Sequence, residues 1–374
     1  MHKREFDKLA GAFPHLVIDA RPLNGTNNGI GRYVDQFVRQ LPEVTDATIT
    51  LISNRTITTS TPLPKRINQL IDNKYWVNVP GTIWFHLRAE KIAAELKCTH
   101  FLGTQHVLPP VSDSGIHKAV IIHDLVFQKF PETMQIGNRL VSSFLVPRSI
   151  LNADSIFCVS DTTRTDLLSN FPVESAKVSV AYPGCSFGAE KNSMSNTNRG
   201  PLRFLVVGSL EPRKNLGVFL RAFMQMRLNG HDFKLDLVSG SAWGKTLTTE
   251  LVESIELDSN ISIYKNISDV ELQSLYRSAD FLVFPSIYEG FGLPLLEAID
   301  KCAIIVNEIP VFREIGAHID NVIYVDFNKS EDEISSSFAL LNRSPPARFR
   351  TRSDVELFTW NKCASSIVKG IGIG

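Results

Sequence analysis

The sequence predicts an α/β protein of two domains, and three observations lead to that prediction. The chain has 374 residues, enough for two hydrophobic cores. Short apolar runs alternate with segments of helical periodicity in both halves of the chain. Residues 188–200 are rich in Asn, Ser and Gly and hold no apolar run, which is typical of a linker. We therefore expect an N-terminal domain at residues 1–187 and a C-terminal domain at residues 201–354.

Composition limits the classes of protein to consider. Hydrophobic residues make up 43% and the formal net charge is zero, so we expect a globular protein with no nucleic-acid partner. The five cysteines form no CxxC pair, which argues against a zinc site or a disulfide framework and for a reducing compartment. We expect no signal peptide, because the N-terminal residues contain no long apolar core, and no apolar stretch approaches about 18 residues. The expected location is the cytoplasm, with any membrane contact peripheral and at the inner face.

The first element is a buried strand, Leu16–Asp19, followed by a glycine-rich loop and then by a helical pattern from Tyr33 to Leu41. The loop lies where many α/β proteins bind phosphate, although it lacks the GxGxxG spacing. We take Gly31 as the residue that lets a ligand approach the backbone closely. The alternative is that these glycines only allow the chain to turn.

The second informative stretch is KAVIIHDLVF, residues 118–127. An apolar strand ends there in His123 and Asp124. Polar residues at the carboxyl end of a parallel strand point into the crevice in which such sheets bind ligands. Because a lone histidine is often structural, a structural role and a binding role for His123 both remain open.

In the second half, the loop after the strand Leu202–Val207 contains the adjacent cations Arg213 and Lys214. Such a pair is suited to neutralising a diphosphate, but it is also common on solvated surfaces. A later segment, residues 240–246, has three residues between its glycines where a P-loop has four. A magnesium-dependent NTPase is therefore a third and weaker hypothesis.

The stretch FLVFPSIYEGFGLPLLEAID, residues 281–300, contains more candidate binding groups than any other stretch of this length. A buried strand is followed by a loop with two glycines and by a helix that begins near Pro294. The free N–H groups at the start of the helix favour an anion, whereas Glu289 and Glu297 favour hydroxyl donors. We interpret this as a nucleotide-sugar site, with Glu289 directed toward the sugar and Glu297 toward the ribose. The alternative is a connection whose glutamates are only solvated.

These residues also resemble a known family. Glu289 and Glu297, which enclose GFGLP, together with HDL at residues 123–125 and the Phe-Pro-Glu turn at residues 130–132, are similar to the signature of retaining glycosyltransferases of the large fourth family, the glycosyl transferases group 1. The resemblance is strongest to bacterial polysaccharide and mannosyltransferases. It implies the GT-B fold, in which two Rossmann-like domains face a cleft and a C-terminal helix, here within residues 355–374, crosses back to the N-terminal domain.

The same resemblance implies roles for individual residues. His123 and Glu289 would be catalytic, with the histidine contacting the transferred sugar and the glutamate orienting it. Donor binding would involve Gly31, Asp124, Arg213, Lys214, Ile267, Gly290, Phe291, Gly292, Leu293 and Glu297. Ile267 would lie near the base, and the residues from Gly290 to Leu293 near the diphosphate. We expect no metal and no cofactor, because the cations and the helix already supply positive charge.

The resulting hypothesis is a retaining hexosyltransferase of surface polysaccharide or lipopolysaccharide synthesis. Its partners would be a nucleotide sugar, with GDP-mannose as the first candidate, and a glycan or lipid-linked acceptor. The alternative from another class is a regulator that binds a nucleotide sugar without turnover.

Overall fold

The computed structural model describes most of the chain, namely residues 14–25, 29–110, 115–187, 200–239, 249–320, 322–341 and 356–374. The chain divides into two units. The first unit extends to Phe127 and also contains Ile136–Gly184 and Leu357–Gly374. The second unit contains Gln128–Gln135 and Cys185–Glu356.

The first unit is built on a seven-stranded parallel sheet. Its strands are β1 (His15–Asp19), β2 (Thr48–Ser53), β3 (Ile67–Ile71), β4 (His100–Gly103), β5 (His117–Ile122), β6 (Ser155–Cys158) and β7 (Val178–Val180). They lie side by side in the order β3-β2-β1-β4-β5-β6-β7. Val17 of the central strand β1 pairs with Thr50 of β2 and with Phe101 of β4. All residues of β1 are buried, as expected for a parallel strand covered on both faces.

Helices connect these strands. In chain order they are α1 (Gly29–Val44), α2 (Gly81–Glu95), α3 (Val126–Lys129), α4 (Ile136–Asn152) and α5 (Asp161–Asn170). The crossovers through α2, α4 and α5 run in one direction along the sheet, and the crossover through α1 runs in the other. Because such crossovers are right-handed, α2, α4 and α5 cover one face and α1 covers the opposite face.

The second unit has a six-stranded parallel sheet. Its strands are β8 (Leu202–Val207), β9 (Phe233–Val238), β10 (Ile261–Tyr264), β11 (Phe281–Phe284), β12 (Ala303–Asn307) and β13 (Val322–Val325). The order is β10-β9-β8-β11-β12-β13, which is the doubly wound order of a Rossmann fold. Phe204 of β8 anchors the core, since its ring stacks on Phe281 with centroids 5.5 Å apart and meets Phe233 edge to face at 5.3 Å.

The helices of the second unit follow its strands. They are α6 (Leu216–Leu228), α7 (Thr249–Leu257), α8 (Asp269–Ser278), α9 (Leu293–Ala298), α10 (Pro310–Gly316) and α11 (Glu331–Leu341). The side chain of Ser268 caps α8 by accepting from the N–H of Glu271, whose carboxylate accepts in return from the Ser268 N–H.

The last helix, α12 (Trp360–Gly370), belongs to the first unit and packs on α1. Thr359 caps its start, and Tyr33 of α1 lies 3.1 Å from the Cys363 sulfur. Position 184, next to the start of α12, requires glycine, because a Cβ there would lie 2.2 Å from the backbone nitrogen of Trp360. The return of the C-terminal segment to the N-terminal domain is therefore confirmed, although the helix begins at Trp360 rather than at residue 355.

The α/β class and the two Rossmann-like units, each built on its own parallel sheet, are also confirmed. The structure adds elements that the sequence analysis does not assign, chiefly β3, β13, α2, α4 and α11. It also groups Gln128–Gln135 with the second unit, whereas the predicted N-terminal domain includes them. Nearly all of the predicted linker, residues 188–199, and the P-loop-like residues 240–246 lie outside the described residues.

Candidate functional site

The candidate site of the second unit lies at the topological switch point of its sheet. Strands β8 and β11 are neighbours in the sheet, and their outer neighbours continue the chain in opposite directions. Open α/β sheets bind ligands at the carboxyl end of such a strand pair. The loop after β8 carries Arg213 and Lys214, and the loop after β11 carries Glu289. The fold therefore brings together two of the predicted motifs.

The loop after β8 is held in place by its backbone. Residues Pro212–Lys214 form a 3-10 turn, and Asn215 then starts α6 from a left-handed conformation with φ of 53°. The carbonyl of Arg213 accepts a hydrogen bond of 2.9 Å from the N–H of Ile287 in the loop after β11. This backbone bond ties the two loops together and sets where both cations lie.

The side chains then converge on Glu289. Lys214 Nζ donates to Glu289 Oε1 at 2.5 Å, and Arg213 Nη1 donates to Glu289 Oε2 at 3.0 Å. The Glu289 side chain is 8% exposed, and those of Arg213 and Lys214 are 14% and 16% exposed. Arg213 also donates from Nε to Glu211 at 2.9 Å. The result is a largely buried group of two cations and one shared carboxylate, with a second carboxylate at its edge.

The protonation state of Glu289 follows from these contacts. Burial alone would raise its pKa, but the charges and hydrogen bonds of Lys214 and Arg213 outweigh burial and lower the pKa to about 2. Glu289 is therefore ionised at neutral pH, so it cannot act as a proton donor there. Its negative charge holds two cations at the switch point.

The GFGLP segment forms the turn from β11 into α9. Gly292 is the residue before the helix and has φ of 105°, a left-handed conformation that favours glycine. A Cβ there would also lie 3.0 Å from the ring of Phe312. Gly290 and Phe291 are buried, and Leu293 is the first residue of α9.

Glu297 lies inside α9 and is buried, with 3% exposure. It accepts a hydrogen bond of 2.9 Å from the hydroxyl of Tyr276, a fully buried residue of α8. From the sequence, Tyr276 is predicted only to lie on the apolar face of a helix. A tyrosine on an apolar helix face is the sequence feature that could have indicated this hydrogen bond, because a buried phenol needs a hydrogen-bond partner. Ile267 lies half-buried after the edge strand β10, at the same carboxyl edge as the switch point but two strands from β8.

In the first unit, His123 follows β5 and is fixed by three neighbours. Its Nε2 lies 2.8 Å from the carbonyl oxygen of Thr104, so Nε2 carries the proton and donates. Tyr33 packs edge to face on its ring with centroids 4.9 Å apart, and His106 packs at 5.2 Å. Burial and the neighbouring His106 lower the pKa of His123 to about 3. The ring is therefore neutral at physiological pH, and Nδ1 is its hydrogen-bond acceptor.

The other predicted residues of this unit are placed differently. Asp124 accepts a hydrogen bond of 3.1 Å from the N–H of Val126, so one of its oxygens serves the turn into α3. Gly31 is the third residue of α1 and is buried, whereas the prediction places it in a loop before the helix. Tyr33 connects His123 to α12 through its contacts with Cys363 and with Trp360, whose ring lies 5.3 Å away.

A polar pocket of about 240 Å³, which the sequence analysis does not identify, lies at the same edge of this sheet. Its lining includes Arg21, Asn54 and Gly81. Arg21 is held by a two-pronged ion pair with the buried Asp19, at 2.8 and 2.7 Å. Thr104, whose carbonyl accepts from His123, donates from its hydroxyl to the Asp19 carbonyl. The strand order β1-β4-β5 therefore connects this pocket to His123.

Two features are absent from the part of the chain that the structure describes. Within it, no group of three or more His, Cys, Asp or Glu side chains is arranged to hold a metal ion. Within it too, no helix has the length and apolar character needed to cross a membrane.

Comparison with known proteins shows what this chain is similar to. Residues 189–354 match the family described as Glycosyl transferases group 1. The chain is 24% identical to O-antigen chain mannosyltransferase RfbU of Salmonella typhimurium, over 87% of this chain and 90% of the relative. Among solved structures, sucrose-phosphate synthase of Thermosynechococcus elongatus aligns with a TM-score of 0.73 at 15% identity, over 95% of this chain and 98% of that one. WaaG, a glycosyltransferase involved in lipopolysaccharide biosynthesis, aligns with a TM-score of 0.69 at 14% identity, over 95% of each chain.

Proposed function

We propose that this chain, whose residues 189–354 match the glycosyl transferases group 1 family, transfers a hexose from a nucleoside diphosphate sugar to a hydroxyl of a growing glycan. The setting would be surface polysaccharide or lipopolysaccharide synthesis, with a glycan or lipid-linked acceptor. Mannose from GDP-mannose is the first candidate donor, since a relative that matches most of this chain is an O-antigen mannosyltransferase.

One observation carries this proposal, namely the convergence of Arg213 and Lys214 at the switch point of the second unit. A departing nucleoside diphosphate gains negative charge in the transition state. Preorganised donors aimed at that charge are usually the largest catalytic contribution. Arg213 offers a planar fork of N–H groups and Lys214 a mobile ammonium, so together they fit the oxygens of a diphosphate.

Glu289 has two roles in this proposal. Its carboxylate holds both cations in position, because each of its oxygens accepts from one of them. It also keeps a negative charge beside the donor, where a cation-like sugar transition state would be stabilised. The low pKa of Glu289 ensures that this charge persists at every physiological pH.

His123 is proposed to contact the transferred sugar as a hydrogen-bond acceptor. With Nε2–H committed to the Thr104 carbonyl, Nδ1 can accept from a sugar hydroxyl. A pKa of about 3 makes the ring a poor proton shuttle at neutral pH, so we assign it orientation rather than acid–base catalysis.

We further propose retention of anomeric configuration and independence of metal ions. Two cations at the switch point supply the positive charge that a divalent ion would otherwise provide. The two cations draw charge from the Glu289 carboxylate and make it a weaker nucleophile, which favours a same-face reaction without an enzyme nucleophile.

The test starts from purified protein and a panel of GDP-, UDP- and ADP-sugars. We expect one nucleoside diphosphate to raise the melting temperature selectively, and its sugar to be transferred or slowly hydrolysed with EDTA present. Glu289→Ala should abolish turnover. Glu308→Ala is the matched control, since Glu308 forms an exposed ion pair with Arg313 in the same unit. Selective binding without any turnover would instead favour the regulator, and an inverted product would refute retention.

A further inference from the structure

Helix α4 has a second apolar face that stays exposed among the residues that the structure describes. Its inner face packs through Val146 and Ile150, which are 3% and 1% exposed. On the other side, Ile136, Leu140 and Phe144 are spaced four residues apart and are 77%, 66% and 68% exposed. Residues at this spacing lie on one side of a helix. A soluble helix normally presents polar side chains there.

The charged residues of α4 are also all of one sign, since both are arginines. From residue 133 to residue 153 the sequence has no Asp or Glu, whereas it has Arg139 and Arg148. Both arginines are exposed. Exposed apolar side chains flanked by cations, without acidic residues, are typical of helices that lie in the interface of a lipid bilayer.

A second segment repeats the pattern on the same face of the sheet. Between β3 and the first turns of α2, Tyr75, Val77, Ile83 and Leu87 are exposed by 45 to 76%. Right-handed crossovers place α2 and α4 on the same face of the first unit. Both segments begin at the carboxyl edge of the sheet, which is also the edge that carries His123.

These segments hold most of the exposed large hydrophobic side chains in the described part of the chain. Nine of those fourteen side chains belong to them, namely Tyr75, Val77, Ile83, Leu87, Ile136, Leu140, Val141, Phe144 and Leu151. Apolar surface concentrated in this way marks an interaction site, whereas scattered single residues do not.

We propose that the outer faces of α2 and α4 form a docking surface for an anionic lipid bilayer. The apolar side chains would enter the boundary between headgroups and acyl chains, and Arg139 and Arg148 would contact lipid phosphates. The bilayer fits better than a second copy of this chain, because two α4 faces in contact would bring Arg139 and Arg148 together without an acidic residue from either helix. The biological purpose of this docking surface rests on the proposed function. On a membrane, the surface would bring a lipid-linked acceptor to the carboxyl edge of the first sheet, which carries His123.

Vesicle cosedimentation with the full chain tests this surface independently of catalysis. We expect binding to vesicles of phosphatidylethanolamine and phosphatidylglycerol, and weaker binding to phosphatidylcholine or at high salt. Leu140→Glu with Phe144→Glu should lower the partition coefficient at least ~10-fold, since two side chains would leave the apolar layer. Leu257→Glu is the matched control, because Leu257 is 85% exposed but lies on α7 in the second unit. Circular dichroism and nucleotide binding establish that the variants fold.

Three results would overturn the inference: no vesicle binding by the unmodified chain, equal binding by the double variant, or equal loss in the Leu257→Glu control. A dimer that the double variant dissociates, without any vesicle binding, would assign the face to a second copy instead. Vesicle binding without nucleotide-sugar binding would leave the docking surface standing and remove the proposed function.

Discussion

Replacement of Glu289 by glutamine tests the charge arrangement at the switch point most directly. Glutamine keeps the shape of the side chain but removes the negative charge that Arg213 and Lys214 share at 3.0 and 2.5 Å. Leaving buried cations without a partner costs about 3–5 kcal/mol. Because these side chains are 14% and 16% exposed and Arg213 keeps its contact with Glu211, we take a value below that range, ~2–3 kcal/mol of unfolding free energy.

The same change should strengthen binding of the nucleoside diphosphate. In the unmodified protein, a diphosphate must share the two cations with Glu289. Without that carboxylate, the diphosphate becomes their main partner. If it recovers about half of the lost stability, ~1.4 kcal/mol, its affinity rises about tenfold. Transfer should nevertheless fall at least ~100-fold, because the cations and the sugar are no longer held by the carboxylate.

Calorimetric titration with GDP, UDP and ADP measures the affinity, with GMP as the comparison that lacks the second phosphate. Thermal unfolding with and without the best nucleotide measures the stability change. Glu308→Gln removes the carboxylate of an exposed ion pair in the same unit and should alter neither quantity. Equal or weaker diphosphate binding by Glu289→Gln would refute the reasoning, since Arg213 and Lys214 would then not be its ligands.

Two further predictions concern buried polar groups. Tyr276→Phe removes the 2.9 Å hydrogen bond to the buried Glu297, so we expect a loss of ~1–2 kcal/mol in urea unfolding and weaker donor binding; unchanged stability would contradict this contact. His123 has its pKa lowered from 6.5 to about 3, so as pH falls below 6.5 the unfolded chain binds a proton before the folded one does. This contribution to stability is present above pH 6.5 and is lost toward pH 3, with a slope of at most ~1.4 kcal/mol per pH unit. His123→Gln should make the measured slope shallower by up to that amount, and equal slopes would show that the histidine is not held neutral.

The central strands could be predicted from the sequence because of their burial. Parallel strands covered on both faces form continuous apolar runs, so β8 and β11 are visible in the printed sequence. The edge strand β3, with the sequence INQLI, is only partly buried and carries no such run. Helix α4 is not predicted either, because apolar residues on both of its sides hide the periodicity of an amphipathic helix.

The site was predicted at the level of motifs rather than of contacts. The sequence predicts that Arg213, Lys214 and Glu289 belong to one binding site. It does not show that both cations donate hydrogen bonds to Glu289, about 75 positions further along the chain. The partners of His123 are similarly distant in the chain, since Thr104 and Tyr33 meet it only after strands β1, β4 and β5 pair. Such contacts depend on strand order, which periodicity does not specify.

The membership of residues 357–374 in the first unit has a consequence for biosynthesis. During translation, β1 to β7 leave the ribosome long before α12 does. The side of α1 that packs against α12 therefore remains exposed while the second unit is synthesised. Tyr33, which touches both His123 and Cys363, acquires its full surroundings only after residues 357–374 have been synthesised. Proteins cut short after residue 356 would therefore emerge with an unfinished N-terminal half, even though every strand of that half had already been synthesised.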